Sequence, residues 1–155
     1  MTVLRAPYHF GLVVEDLERA KDDLTSVLGL SWATTQRRSN LVERQGGRTP
    51  VEVCFTYSLE GPPYFELIER RPGSIFDELG LHHIGLWTND RTSDSAHFSS
   101  HGWPREAVNI TPEGQMAGGL YHTGTCGLRV ELVDIGRSGP ALLNYLDGGD
   151  YRVAD

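Results

Sequence analysis

Two histidines and two glutamates recur in this chain in matching surroundings. The stretch YHFGLVVEDLERA (8–20) aligns with HHIGLWTNDRTSD (82–94), so that His9 falls on His83, Gly11 on Gly85, Leu12 on Leu86 and Asp16 on Asp90. YFELIE (64–69) aligns with RVELVD (129–134), with Glu66 on Glu131 and Leu67 on Leu132. A carboxylate inside an apolar strand such as FELI or VELV is costly unless it is paired or binds a metal. Here one closes each half of the chain, and each half opens with His-x-Gly. Two imidazoles and two carboxylates suit a divalent ion such as Zn, Ni, Co, Mn or Fe. The carboxylate charges balance the ion, and room remains for water or substrate oxygens. Packing the two halves together would bring His9, Glu66, His83 and Glu131 to one centre.

GLHHIGLWTND (80–90) places two histidines side by side in a strand pattern. Neighbouring strand side chains point to opposite faces, so alternation admits one of them to a shared pocket. The repeat selects His83 and matches His82 to Tyr8; His82 is expected on the opposite face, packed or solvated. The same parity puts His9, Gly11 and Val13 on one face, and likewise Tyr64, Glu66 and Ile68. In the second half the sets are His83, Gly85 and Trp87, and Arg129, Glu131 and Val133. Trp87 is therefore a candidate wall of an apolar pocket. Aligning the Glu strands places Tyr57 opposite His122 across the repeat. An even hairpin register turns both toward the metal as substrate-binding groups; an odd register or a bulge turns them out.

The elements that must position these residues are repeated too. Asp16 is a helix N-cap before Leu17, Ala20, Leu24 and Leu28, and Gly29 is the stop. Asp90 caps a weaker helix through about His101, ended by Gly102 and Pro104. His97 and His101 on that helix read as a solvated face. Extended runs follow: SWATTQ, VEVCFTY and PYFELIE in the first half, then REAVNI, GGLYHTG and GLRVELVD in the second. EGPP (60–63) and GTCG (124–127) read as hairpin turns. The fold class expected is α+β: two βαβββ modules in tandem, residues 1–72 and 73–136, as one compact domain. A tail, 137–155, is expected to open a short helix at Pro140 and to cover a module or the pocket mouth. Its end, YRVAD, is expected to be disordered.

The chain has 155 residues and a net charge of −7, which argues against nucleic acid or anionic membranes as partners. No apolar run approaches the roughly 18 residues of a membrane span, and the N-terminus does not read as a signal peptide. Cys54 and Cys126 form no CxxC pair, and reduced thiols in a cytoplasmic protein are the expectation.

With HFGLVVEDL opening one module and HHIGLWTND the other, the paired modules resemble the vicinal oxygen chelate superfamily. That family includes glyoxalase I, methylmalonyl-CoA epimerase, extradiol dioxygenases, fosfomycin-resistance enzymes and bleomycin-binding proteins. The resemblance spans roughly residues 5 to 135, and ELIERRPGSIFDELGLHHIG is most similar to the glyoxalase and epimerase branch. It implies a glyoxalase-like open barrel around a metal site, with His9, Glu66, His83 and Glu131 as ligands, and a homodimer. It also implies a divalent-metal lyase or isomerase that chelates vicinal oxygens of a small substrate and removes a proton next to a carbonyl. Resemblance to glyoxalase I makes a ligand carboxylate, Glu131 or Glu66, the base. Two departures bear on the substrate. The glyoxalase I helix often carries Phe-Tyr before Leu-Gly, whereas this chain has DDLTSVLGL. No basic cluster marks a glutathione or coenzyme A site; Arg37 and Arg38 are candidates for anion contacts but read as a solvated loop. Two alternatives stay open. One is an Fe(II) extradiol-type dioxygenase on a catechol-like substrate, using His9, His83 and Glu131. The other is a metal-free small-molecule binding protein, against which the intact quartet argues.

Overall fold

The computed structural model describes residues 6–153. Its elements run β1 (His9–Val14), α1 (Leu17–Leu28), β2 (Gln36–Arg44), β3 (Gly47–Tyr57), β4 (Tyr64–Glu69), β5 (Gly80–Thr88), α2 (Arg91–Ser100), β6 (Arg105–Ile110), β7 (Met116–Thr123), β8 (Arg129–Asp134) and α3 (Ile135–Leu146). Each half is βαβββ, and the strands form one barrel in the order β1-β4-β3-β2-β6-β7-β8-β5. The first and last strands of each half pair in parallel, β1 with β4 and β5 with β8. Two antiparallel seams join the halves, β1 with β5 and β2 with β6. The second seam is short, from Leu41↔Ile110 to Glu43↔Val108.

The helices stop and start where their side chains dictate. The Asp16 carboxylate accepts from the Arg19 N–H at 3.0 Å, and Gly29 ends α1 in the left-handed region at φ 71°. Asp90 caps α2 in the same way, accepting from the Ser93 N–H. α1 lies outside the barrel, where Leu17 meets Leu67 and Cys54. The second half's outer layer packs Phe98 and Trp103 against Leu86, Val108, Leu120 and Leu132. Cys54 is buried, Cys126 is exposed, and both are free thiols. No helix among the described residues is long and apolar enough to cross a membrane.

Three segments depart from the sequence reading. SWATTQ is not a full strand: Trp32 makes one isolated bridge to Ser58, and the strand proper starts at Gln36. That strand, QRRSNLVER, is half-exposed, so its polar residues mask its strand character. It turns into β3 through Gln45 and Gly46, both at positive φ (48° and 77°), the conformation that a tight two-residue hairpin needs. In the tail, α3 begins at Ile135, well before Pro140, because Asp134 caps it from the end of the Glu strand. The helix buries Ala141, Leu142 and Tyr145, and the Tyr145 hydroxyl donates to the Thr34 carbonyl at 2.6 Å. Nor is the following segment loose. The Tyr151 ring packs edge-on against Phe55 and Tyr145 at 5.9 and 5.7 Å. The last two residues of YRVAD lie outside the described residues.

His122 also departs from the even-register expectation. The β7–β8 hairpin pairs Tyr121, not His122, with Glu131, because it is one residue longer than the hairpin that pairs Tyr57 with Glu66. His122 therefore turns outward under α2. Its Nδ1–H donates to the Trp103 carbonyl at 2.7 Å, so Nε2 accepts from the Ser95 hydroxyl at 2.9 Å. Burial lowers its pKa, and the folded protein holds it neutral. The unfolded chain binds a proton there below about pH 6.5, so this contribution to stability is present above that pH and declines as pH falls. The stability advantage of the native protein over His122→Gln is accordingly expected to shrink between pH 7.5 and 5.5 in urea unfolding (pH chosen around the value of about 6.5).

Candidate metal centre

All four repeated residues converge inside the barrel. The Nε2 atoms of His9 and His83 stand 2.8 Å apart. Glu66 Oε2 lies 3.2 Å from His9 Nε2 and 3.3 Å from His83 Nε2, and Glu131 Oε2 lies 3.3 Å from each. The backbone explains the convergence. Across the β1–β5 seam His9 pairs with Gly85 and Gly11 with His83; within the halves Gly11 pairs with Glu66 and Gly85 with Glu131. Directly paired residues share a face, so four strands deliver the four side chains at one level.

The glycine in each His-x-Gly has a specific task. A Cβ on Gly85 would sit 1.9 Å from the His9 ring, and one on Gly11 would sit 2.1 Å from the His83 ring. Each histidine thus lies over the glycine of the opposite half. Any side chain there would push the ring away from the centre.

His82 is not on the far face. The β1–β5 register shifts at this point, pairing Gly11 with His83 and Leu12 with Leu81. His82 is the extra residue of a β-bulge, and a bulge breaks alternation. Its ring lies beside His83, with the two Nδ1 atoms 2.8 Å apart, and its Nε2 is 2.7 Å from the Ile75 carbonyl. The carbonyl can only accept, so His82 carries its proton on Nε2 and its Nδ1 accepts from His83 Nδ1–H. Burial, and then the neighbouring His83, push the His82 pKa down to about 3, which keeps it the neutral acceptor. This chain leaves the His83 Nε2 lone pair aimed at the centre. The loop supplying Ile75 is held by Arg70, which pairs with Asp77 at 3.0 Å. His9 has no counterpart: its Nδ1 is buried without a partner among the described residues.

The charges of the quartet call for a cation. Burial raises both carboxylates, but contacts with His83 and His9 overcome it and hold Glu131 and Glu66 below the usual carboxylate range. Burial lowers His83, but hydrogen bonds to Glu131 and Glu66 raise it to about 9. Yet protonating both histidines would set two N–H groups head-on across 2.8 Å. One divalent ion would satisfy both lone pairs and both carboxylates. Ligands about 2.0–2.1 Å from a shared ion stand about 2.8–3.4 Å apart at neighbouring corners of an octahedron or tetrahedron. Most contacts of the quartet fall in that range, and all four ligand atoms lie within 4.8 Å of one another. The residues fit a divalent metal and could hold one.

Tyrosines surround the centre. The Tyr121 hydroxyl donates to Glu131 Oε1 at 2.9 Å. The Tyr57 ring stands 5.5 Å from that of His9. Tyr8 meets the His9 ring edge-on at 4.4 Å and stacks on Trp87 at 3.6 Å. Tyr8, Tyr57, Tyr121, Glu66 and Glu131 line a cavity of about 360 Å³. Trp87 backs Tyr8 from behind. Of the three residues expected to meet substrate, Tyr57 lines the cavity, Trp87 supports its wall and His122 faces away. Tyr8 and Tyr121 were not marked in the sequence and His82 was expected on the opposite face; each precedes a marked residue by one position.

A family model for the glyoxalase/bleomycin resistance protein/dioxygenase superfamily matches residues 8–123. The chain belongs to that superfamily. Similar solved structures include a methylmalonyl-CoA epimerase variant from Streptomyces coelicolor in complex with 2-nitronate-propionyl-CoA. It is 20% identical, covers 84% of this chain and 94% of its own, and has a TM-score of 0.58. The methylmalonyl-CoA epimerase from Mycobacterium tuberculosis is 13% identical, with 86% and 89% coverage and a TM-score of 0.61. A hypothetical protein from Bacillus halodurans is 15% identical, with 86% and 95% coverage and a TM-score of 0.59. At these identities the likeness shows the fold. No curated protein sequence matches the chain significantly.

For this member of the superfamily, Gly85→Ala is expected to abolish metal uptake measured by elemental mass spectrometry, by displacing His9. His82→Ala is expected to keep the fold but weaken metal affinity about 10- to 100-fold, the usual effect of removing a ligand's hydrogen-bond partner. Competition with a chromophoric chelator measures it.

Proposed function

We propose that this protein is a divalent-metal-dependent isomerase or lyase of the epimerase type, acting on the proton next to a carbonyl of a small substrate. The observation that carries the reading is the complete His₂Glu₂ set, supplied by one chain, with its two glutamates lining a tyrosine-rich cavity. The structural likeness to epimerases, among them one in complex with methylmalonyl-CoA, supports it. When bound, the ion supplies a Lewis acid that draws charge from a carbonyl and stabilises the developing enolate.

The chain's own residues divide the remaining work. Glu66 contacts both histidines through Oε2, and no protein group hydrogen-bonds its Oε1 among the described residues. The Oε1 of Glu131, by contrast, accepts from Tyr121. Glu66 is therefore the carboxylate with a free oxygen on the cavity and acts as the base; Glu131 is held in place. Burial raises the pKa values of Tyr8, Tyr57 and Tyr121 well above the usual tyrosine value. They stay protonated, donate hydrogen bonds and exclude bulk water. Glu66 Oε2 lies as near the two histidines as Glu131 Oε2, which favours a four-residue ligand set over the three-residue iron set of a dioxygenase.

The test is metal content, followed by hydrogen–deuterium exchange at the carbon next to the carbonyl, read by NMR. Suitable compounds are methylmalonyl-CoA, small hydroxyketones and 2-oxo acids. About one divalent ion per chain is expected, fitting a four-ligand site. At saturating metal, Glu66→Gln should slow exchange about 10²–10⁴-fold, the range for a lost general base. Oxygen consumption with Fe(II) that survives Glu66→Gln would overturn the reading in favour of a dioxygenase. Absence of metal uptake would favour a binding protein.

A further inference from the structure

Arg38 differs from the other cations near the cavity. It lies on β2, half-buried, paired with Val53 of β3 and sharing its face. Two rings hold its guanidinium: Tyr151 at 4.9 Å and Phe55 at 5.9 Å to the ring centres. Such contacts fix the plane of the group yet use none of its five N–H donors. Several other arginines have acidic partners, as Arg70 has Asp77 and Arg129 has Glu106. Among the described residues, no hydrogen bond or ion pair engages Arg38. A half-buried, oriented and unpaired guanidinium carries a desolvation cost that a bound anion would offset.

Its placement relative to the quartet defines what that anion belongs to. Arg38 lines the same cavity as Glu66 and Glu131. Along β3, Val53 marks the level of Arg38, and Tyr57 marks the level of Glu66. Those levels are roughly 13 Å apart at the rise of a strand. The reach of the side chains from both ends narrows this to the length of a small molecule. The wall between them is aromatic, with Tyr8, Tyr57, Phe55 and Tyr151. The chain as a whole carries a net charge of −7, so an anion gains nothing from the general field and needs a local cation.

We propose that Arg38 anchors a carboxylate on the substrate, remote from the reacting carbon. This rests on the quartet being the reacting centre. The substrate is then a small organic acid with vicinal oxygens at one end, a carboxylate at the other and a flat or apolar middle. The planar guanidinium fork suits the planar carboxylate. A monoanion also meets less repulsion than a dianionic phosphate from a cavity that already holds two carboxylates.

The experiment is calorimetric titration of the full chain loaded with Mn(II), using two probes. Phenylglyoxylate carries vicinal oxygens and no remote charge; 4-carboxyphenylglyoxylate adds a carboxylate at the far end of the ring. The second is expected to bind about 10- to 100-fold tighter, the range for a hydrogen bond to a charged group. Arg38→Gln should remove this preference and leave phenylglyoxylate binding unchanged. Arg38→Lys, which keeps the charge but not the fork, should retain part of it. Equal affinities in the native protein, or a preference that survives in Arg38→Gln, would overturn the anchor and leave the quartet reading standing. The native comparison needs no variant, so a folding failure in Arg38→Gln does not block the test. Failure of both probes to bind the metal-loaded chain would overturn the quartet reading and the anchor together.

Discussion

The reciprocal packing of His9 over Gly85 and His83 over Gly11 is the constraint on which the rest of this structure depends. It occurs at the β1–β5 seam, where the two halves meet. Each histidine needs the other half's missing side chain in order to reach the centre. Neither half can build its part of the site alone, because its ring space belongs to the other. The parallel pairs β1–β4 and β5–β8 then place one carboxylate beside each glycine. Strand order, seam register and ligand identity are thus one problem with one solution. A slip of one residue at the seam would turn both rings out of the barrel.

The electrostatic cost of that solution shapes the surroundings. Two carboxylates buried side by side are unfavourable without positive charge between them. The histidines supply some of it, and their facing Nε2 atoms leave a place that suits a cation better than two protons. The tyrosines around them are neutral, and Tyr121 adds a hydrogen bond to Glu131 without adding charge. His82 is neutral as well, held so by burial and by the neighbouring His83, while its donor bond to the Ile75 carbonyl fixes which ring nitrogen carries the proton. The linker between the halves therefore has a role beyond connection. Its Arg70–Asp77 pair and the buried Ile75 and Phe76 fix the carbonyl that orients His82, which orients His83.

The repeat made much of this legible in the sequence. His-x-Gly and the in-strand glutamates named the four residues that converge, and Asp16, Gly29 and Asp90 marked helix ends by their capping chemistry. What escaped the sequence is two single-residue shifts and the bounds of two elements. His82 faces the site because of a bulge, which has no composition signal of its own. His122 faces away because one hairpin is a residue longer than its counterpart. β2 escaped because a strand with one exposed face and many polar residues lacks a clear apolar period. Asp134 was absorbed into the Glu strand although it also caps α3. For His82 and His122 the pattern in the chain was correct to within one position, and one position reverses the face of a strand.

Those same shifts break the symmetry of the site, and the asymmetry assigns roles. At the position equivalent to His82 the first half has Tyr8, which stacks on Trp87 and leaves His9 Nδ1 without a partner. His83 is braced through its far nitrogen; His9 is braced by packing alone. Around the carboxylates the bias recurs. Tyr121 donates to Glu131, whereas no such bond reaches Glu66 from Tyr57 among the described residues. The second half thus supplies the more firmly held histidine and glutamate, and the first half supplies the looser pair. On the function proposed above, a site that keeps an ion while one ligand exchanges a proton needs both kinds. The duplicated module provides two near-identical ligand pairs, and a bulge and one tyrosine hydroxyl make one of them rigid. The other carboxylate, Glu66, has no such hydroxyl contact among the described residues, and it lines the same cavity as Arg38.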